Sequence, residues 1–437
     1  MNLTSSLKSL RPLMFTVGAQ AVVSAASFLS GLVLLRLSTT EQYGYFVLMN
    51  TSVLFVLAVQ GGFFQPQSVR VARQENPELR GLLIGGLLKT HRRIALITFL
   101  SSVLVLGLGT LIGLIRPALA LLILGILLAC FRAMIREVQR TILMACRDLP
   151  DVLKADTVYG FVLVGGVYLV TLSLSDWAGA AAAVVLALAA TGASHVCRHA
   201  LYRQGAKHNE TVPPVTLREL AHIGSWGFAG SVVQWTFTQG YTYVVAAQLG
   251  ATALAAISAT RLLLMPINLL SGGLAQFIMP AAAQWLNRYP LSQVVRRLAT
   301  AALLLLVATS LYSVLMWQMR DFIFGTLMHK HFDDRDGLLL LWIVVFSITV
   351  VRDIMGYILA ARLKYRILST ITLFSAAAAI MVTLLCLGPF GGRGALFGLL
   401  TGEILNLLGI LGAIWWALVG QKQENRIAAN TLQGPAE

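Results

Sequence analysis

The chain has 437 residues, of which 57% are hydrophobic and only 12% are charged. Soluble domains carry about 25% charged residues. The low charge and a mean hydropathy of +0.77 therefore exclude a soluble enzyme and indicate a polytopic membrane protein. A net charge of +15 would suggest nucleic-acid binding in a soluble protein, but basic residues in a membrane protein gather in the loops on one side. We expect no nucleic-acid partner.

Apolar runs long enough to cross a bilayer recur along the whole chain. A helix rises 1.5 Å per residue, so about 20 apolar residues cross a hydrocarbon core of about 30 Å. The predicted fold class is all-α, a polytopic membrane protein of about twelve transmembrane helices. The predicted spans are 12–35, 43–64, 93–115, 117–143, 155–175, 178–200, 220–248, 252–280, 298–320, 337–361, 367–387 and 393–419.

The basic residues orient these spans. Most of the 33 Lys and Arg residues fall in loops on the side of the N-terminus, and the positive-inside rule then places both termini in the cytoplasm. No cleavable signal is expected, because Lys8 and Arg11 lead directly into a first span that is too long for a signal-peptide core. The four cysteines show no metal-ligand spacing and are expected to be packing residues.

The sequence looks like one six-helix unit used twice. The motif "GGFFQ" at 61–65 is similar to "GGLAQ" at 272–276, and "ILMACR" at 142–147 is similar to "YILAAR" at 357–362. Parallel repeats of this kind place the substrate path of a transporter between two lobes. The predicted domains are an N-lobe at 1–200, a polar cytoplasmic linker at 201–219, and a C-lobe at 220–437 with a short polar tail. Two pseudo-symmetric six-helix bundles would surround a central cavity.

Three segments carry a resemblance to a known family. They are "LRLSTTEQYGYFVL" and "QGGFFQPQSVRVA" in the first half and "AAQLGATALAAISATRLLLMPINLLSGG" in the second. They resemble the polysaccharide-transporter branch of the multidrug/oligosaccharidyl-lipid/polysaccharide (MOP) superfamily. The resemblance implies a Wzx-type flippase of the bacterial inner (plasma) membrane. Such a protein carries an undecaprenyl-pyrophosphate-linked oligosaccharide, an O-antigen or exopolysaccharide repeat unit, from the cytoplasmic to the outer leaflet by alternating access. Its partners would be membrane lipid, the lipid-linked oligosaccharide, and polysaccharide polymerase and export proteins.

Arginines within the fourth predicted span form a column. Arg132, Arg136 and Arg140 recur every four residues and so share one helix face. The segment from Pro117 to Arg132 makes only about 21 Å of helix, which places Arg132 below the lipid surface. Arginines there usually face a partner or a water-filled cavity, and a guanidinium fork suits pyrophosphate. The alternative is that these side chains reach lipid phosphates at the cytoplasmic interface.

Two further arginines lie within spans of the second half. Arg261 is about 15 Å of helix past the turn at Gly250 and near the bilayer middle, and Pro266 would loosen that helix. Arg352 lies closer to the cytoplasmic side. Both are predicted to bind pyrophosphate together with Arg132 and Arg136. The alternatives are a buried pair between Arg261 and Glu403, and structural pairing or snorkelling of Arg352, whose neighbour Asp353 is expected on a different helix face.

Polar residues on the seventh span are predicted to touch the glycan. Gln234, Thr238 and Tyr241 share one helix face, with Trp235 close by. The same face could instead make polar contacts between helices and an interfacial aromatic belt.

The energy source is left open between a proton gradient, a sodium gradient and product removal. Glu403 and Glu137 are the candidate ion-coupling carboxylates, and no ATP-binding motif or cofactor is expected. The outer-loop residues His329, His331 and Asp333, with the acids that follow, are expected to be solvated rather than a metal site.

Two other functions compete with the flippase. An ion-coupled multidrug or metabolite antiporter of the same superfamily would need carboxylates deep in the first lobe, where only Glu137 is found. A membrane glycan polymerase or ligase is less favoured, because the sequence has no long extramembrane loop that could hold a catalytic site. The prediction is therefore a transporter and not an enzyme.

Overall fold

The computed structural model describes residues 3–205, 215–332, 334–362 and 364–432. Most of the predicted linker, residues 206–214, lies outside the described residues, as does Asp333. Within the described part the chain is helical and contains no strand. The all-α fold class predicted from composition is therefore confirmed. Backbone hydrogen bonds closed within each helix are what a lipid environment requires of a spanning segment.

Twelve α-helices make up the described chain. They are α1 (Leu3–Leu37), α2 (Thr40–Arg73), α3 (Pro77–Leu111), α4 (Pro117–Ala145), α5 (Leu149–Ser173), α6 (Ala178–Arg203), α7 (Leu217–Leu262), α8 (Met265–Arg288), α9 (Leu291–Phe322), α10 (Arg335–Ala361), α11 (Tyr365–Phe390) and α12 (Gly392–Leu432). A 3-10 turn at Ser175–Trp177 precedes α6, and a π-helical turn at Ile323–Met328 follows α9.

Eleven helices of the described chain are long and apolar enough to cross a membrane. They match the predicted spans except the eighth, 252–280, which the structure divides between the end of α7 and α8. The helices also extend beyond the predicted runs at several ends: α2 continues to Arg73, for example. Polar residues at helix ends carry no hydropathy signal, so the apolar runs marked only the membrane-buried parts of the helices.

Capping residues explain where several helices begin. The side chain of Thr39 accepts a hydrogen bond from the backbone N–H of Gln42 at the start of α2. Asn76 accepts from the N–H groups of Glu78 and Leu79 at the start of α3. These bonds satisfy backbone donors that the first helical turn leaves without a partner.

The helical path is broken twice around Arg261. Gly250 has φ 84° and ψ 176°, a conformation that only glycine adopts readily, so α7 bends there into two helical segments. The second break lies at residues 263 and 264, directly before α8, which carries Pro266 in its first turn. The hydroxyl of Tyr312 donates to the carbonyl oxygen of Leu263 at 2.8 Å and satisfies one acceptor that the break exposes. Pro266 was expected only to loosen a continuous span at 252–280, whereas the structure ends one helix at Leu262 and begins the next at Met265.

The chain forms two compact units. The first comprises Met1–Trp235, Ala246–Ala259 and Gly325–Lys330, and the second comprises Thr236–Val245, Thr260–Phe324 and His331–Glu437.

The helix pairs that pack together repeat with a shift of six. In the first unit α4 packs on α6, α5 on α6, α3 on α4 and α2 on α4. In the second unit α10 packs on α12, α11 on α12, α9 on α10 and α8 on α10. Each pair of the first set becomes the matching pair of the second when six is added to both numbers. The predicted six-helix repeat is therefore present in the packing.

Candidate functional site

The arginine column on α4 meets a buried carboxylate from α5. Asp156 is fully buried. Its Oδ1 accepts from Nη2 of Arg136 at 2.6 Å, and its Oδ2 accepts from Nε of Arg140 at 2.9 Å. The ring of Tyr159 lies 3.9 Å from the Arg136 guanidinium carbon, close enough for a cation–π contact. Arg136 and Arg140 are thus both buried and held in fixed positions.

Asp156 is the residue that the sequence reasoning missed. It lies second in the predicted fifth span, within "LPDVLKADTVYGF", and is not among the site residues predicted from the sequence. The signal was available, because two buried arginines at i and i+4 require an anion nearby. Helix periodicity shows which residues share a face on one helix, but it does not show which residue of a neighbouring helix lies opposite.

Arg132 has a different environment from the other two arginines of the column. Its Nε donates to Oγ1 of Thr191 on α6 at 2.6 Å, and it forms no ion pair with any described residue. Both Nη groups remain available on the same guanidinium. A charged group that is partly buried without a counter-ion favours the approach of an anion.

Arg261 lies in the second unit, next to the break between α7 and α8. Its Nη1 donates to Oε1 of Gln239 at 3.0 Å and to the hydroxyl of Tyr241 at 3.3 Å. The ring of Trp342 lies 5.3 Å from the guanidinium carbon, and Trp342 also packs edge-on against Tyr241. Nε of Arg261 is buried and has no hydrogen-bond partner among the described residues.

Arg261 therefore presents an unoccupied edge. Among the described residues its hydrogen bonds use only Nη1, so Nε and Nη2 remain for a second partner. Those two groups form the side of the fork that binds carboxylate or phosphate through two parallel hydrogen bonds. No carboxylate among the described residues pairs with Arg261.

Arg352 is paired within the second unit, and its partner corrects one of the alternatives. Its Nη1 lies 2.7 Å from Oε2 of Glu403 on α12, and both side chains are buried. Glu403 thus pairs with Arg352 and not with Arg261. Asp353 also binds Arg352, with its Oδ1 2.7 Å from Nη2. Asp353 is the next residue on the helix and lies on a different face, and the long arginine side chain reaches back to it, so the structure supports the pairing alternative for Arg352.

The four predicted glycan-facing residues of α7 differ in exposure. Gln234 is exposed and Thr238 half-buried, while the ring of Trp235 packs on Phe55 at 4.6 Å between centroids. Tyr241 is buried, and its hydroxyl binds Arg261.

Two further polar clusters do not include any of the predicted pyrophosphate-binding arginines. Oε1 of Gln60 lies 3.0 Å from Nε2 of the buried His91, and Nε2 of Gln60 donates to the Met134 carbonyl at 3.1 Å, which links α2, α3 and α4. In the predicted outer loop Asp334 binds Arg393 and Asp336 binds Arg320 and Arg335. Across the described ranges no group of three or more His, Cys, Asp or Glu side chains could hold a metal ion.

The predicted pyrophosphate residues fall into two groups. Arg136 and Arg352 are buried and form ion pairs with Asp156 and Glu403, and Asp156 is shared with Arg140. Arg132 and Arg261 keep unpaired guanidinium groups among the described residues. Each unit therefore supplies one arginine that can bind an anion without first losing a carboxylate partner.

The comparisons with known proteins agree with this fold. No protein-family model and no curated protein sequence matches the chain. Solved structures do match. An inward-facing multidrug resistance MATE family transporter of the MOP superfamily has a TM-score of 0.68 and 13% identity, with 96% of this chain and 100% of that chain covered. The lipid II flippase MurJ, in an inward closed conformation, has a TM-score of 0.71 and 12% identity, with 92% and 87% covered. The eukaryotic MATE transporter AtDTX14 has a TM-score of 0.61 and 12% identity, with 96% and 99% covered.

This chain therefore has the fold of these MATE transporters and of the flippase MurJ, which is the fold that the resemblance read from the sequence implies. It is a multi-pass membrane protein. The polysaccharide-transporter branch within the superfamily stays a prediction.

Proposed function

We propose that this protein is a flippase. It would carry an undecaprenyl-pyrophosphate-linked oligosaccharide, an O-antigen or exopolysaccharide repeat unit, from the cytoplasmic to the outer leaflet of the bacterial inner membrane. Both termini would lie in the cytoplasm, and transport would follow an alternating-access cycle. A proton or sodium gradient would supply the energy, with Glu403 or Glu137 as the coupling carboxylate. Polysaccharide polymerase and export proteins would act on the product.

The observation that carries this proposal is the unoccupied edge of Arg261. A guanidinium within a membrane-spanning segment costs several kcal/mol, and a buried Nε without a partner adds to that cost. The arrangement is favourable once an anion binds side-on to Nε and Nη2. A pyrophosphate group offers oxygens in that geometry, and the unpaired guanidinium of Arg132 offers a contact of the same chemistry in the first unit.

The buried acids support an anionic substrate over a cationic one. Asp151, Asp156 and Glu403 are buried carboxylates, and each forms an ion pair with an arginine or lysine. A cationic drug would have to displace one of these basic groups before it could bind a buried acid of the described chain. A diphosphate needs no such exchange at Arg132 or Arg261.

The second candidate is an ion-coupled multidrug or metabolite antiporter. Its support is the similarity of the fold to MATE transporters, which is as extensive as the similarity to the flippase MurJ. The charge pairing of the buried acids is what favours the flippase of the two.

The test is lipid translocation in proteoliposomes that contain the purified protein. The readout is the leaflet distribution of undecaprenyl-pyrophosphate-linked sugar with wild type, Arg261→Ala, Arg132→Ala and the control Arg116→Ala. Arg116 is a cation in the turn before α4, so its loss changes the net charge equally and leaves the site intact. We expect Arg261→Ala and Arg132→Ala to slow translocation by at least about tenfold, the equivalent of one lost charged hydrogen bond. Equal rates for all four proteins would overturn the assignment of these arginines.

A further inference from the structure

Glu137 lies where two arginines converge. Its Oε2 is 3.7 Å from Nη1 of Arg136, and its Oε1 is 3.5 Å from Nη1 of Arg140. One carboxylate thus lies near the Nη1 groups of both guanidiniums. Charged hydrogen bonds between such groups are normally about 2.7–2.9 Å long, so Glu137 is held by charge attraction at longer than hydrogen-bond distance.

Asp156 binds the same two arginines in a different way. Its contacts are 2.6 and 2.9 Å long, and its side chain is fully buried, whereas 28% of the Glu137 side chain is exposed. Asp156 therefore holds both guanidiniums whether or not Glu137 is present, and the ring of Tyr159 adds a contact to that of Arg136. Glu137 is the exchangeable partner of the two carboxylates, because it makes the longer contacts and is only partly buried.

The charge balance shows what could replace Glu137. With Glu137 in place, the two arginines and the two carboxylates sum to zero, and without it the cluster carries one positive charge. A phosphate oxyanion has the charge and the hydrogen-bond acceptors of a carboxylate, and it offers more oxygens to bridge two guanidiniums. Glu137 can turn away from Arg136 and Arg140 by side-chain rotation alone, since all three lie on one helix.

We propose that Arg136 and Arg140 form an oxyanion site that Glu137 fills in the absence of substrate, and that a phosphate of the substrate binds there by displacing Glu137. Glu137 is then an internal competitor that weakens binding of the diphosphate and allows it to leave. This inference rests on the proposed function for its substrate, and it adds Arg140 to the binding residues.

Titration of the purified full-length protein with inorganic pyrophosphate, followed by isothermal calorimetry, tests the proposal. We expect Glu137→Gln to bind pyrophosphate about tenfold more tightly than wild type, because the competing charge is gone. Glu137→Ala should show the same gain. The control Glu41→Gln removes an equal charge from an exposed acid that accepts a hydrogen bond from Tyr45, and it should bind as wild type does.

A second substitution tests whether the tighter pyrophosphate binding occurs at Arg136 and Arg140. Arg140→Lys keeps a positive charge for Asp156 but removes the fork, so in the Glu137→Gln background it should abolish most of the tighter binding. The proposal is overturned if both Glu137 variants bind as wild type does. It is also overturned if Glu41→Gln gains equally, or if the gain survives Arg140→Lys.

The titration fails or succeeds independently of the transport assay. Tighter pyrophosphate binding by Glu137→Gln, without any translocation of lipid-linked sugar by wild type, would keep the oxyanion site and reject the flippase. Translocation with no effect of Glu137 on pyrophosphate binding would keep the flippase and reject the displaced carboxylate.

Discussion

Asp156→Asn removes the negative charge that two buried guanidinium groups share. The substitution breaks the 2.6 Å ion pair with Arg136 and the 2.9 Å ion pair with Arg140, both of which lie away from solvent. Breaking a buried ion pair by removing one partner costs about 3–5 kcal/mol, because the remaining charge is left uncompensated. For a unit of this size each kcal/mol lowers the melting temperature by about 2–4 °C, so we expect the variant to melt about 10 °C below wild type.

Thermal unfolding of the purified protein in detergent, followed by tryptophan fluorescence, measures this difference. Asp151→Asn is the matched control, because Asp151 lies on the same helix but pairs with Lys154 and Arg203, whose side chains are 66% and 55% exposed. Asp151 itself is buried, but its loss leaves two exposed cations that water can solvate. Ion pairs with exposed partners contribute less than about 1 kcal/mol, so this variant should melt within about 3 °C of wild type. Equal melting temperatures for the two variants would refute the view that Asp156 is the buried counter-ion of the column.

Two further predictions concern packing and pairing, and both use the same unfolding assay. A Cβ on Gly62 would lie 2.5 Å from the backbone nitrogen of Phe228, whereas one on Gly61 would meet nothing within 4 Å. Gly62→Ala should therefore lower the free energy of unfolding by about 1–3 kcal/mol, and Gly61→Ala should melt as wild type does. An unaffected Gly62→Ala would contradict the close approach of α2 to α7. Arg352→Met should destabilise the protein by about 3–5 kcal/mol, because it leaves the buried Glu403 carboxylate without its arginine, and adding Glu403→Leu should recover most of that stability. A double variant no more stable than the single one would contradict this ion pair between α10 and α12.

Much of the fold follows from local signals in the sequence. Apolar run length predicted the helices, and the motif repeats predicted a six-helix unit used twice, which the packing contains as two sets of four matching helix pairs. Gly250 marked the first backbone break, because glycine is needed at positive φ. The second break, at residues 263 and 264, was not predicted, because the apolar run continues through it and Pro266 was expected only to loosen the helix. The helix ends were less predictable, since they are polar and extend beyond the hydrophobic runs.

The site was less predictable than the fold, for a physical reason. Sequence position gives the depth of a residue in the bilayer, and it correctly placed Arg352 and Glu403 within membrane-spanning helices. Depth does not determine which helices are neighbours. Because α10 packs on α12, Glu403 lies opposite Arg352 and pairs with it, and within the described part of the chain Arg261 has no carboxylate partner. Asp156 was missed for the same reason, as its role depends on how α5 meets α4.

Parallel transport measurements on one preparation of proteoliposomes test the proposed flippase most directly. Wild type would be assayed for movement of undecaprenyl-pyrophosphate-linked sugar between leaflets and for uptake of a cationic dye under an imposed pH or sodium gradient. We expect movement of the lipid-linked sugar that Arg261→Ala abolishes, and no uptake of the dye. Uptake of the dye with no movement of the lipid-linked sugar would contradict the flippase and identify the protein as an antiporter.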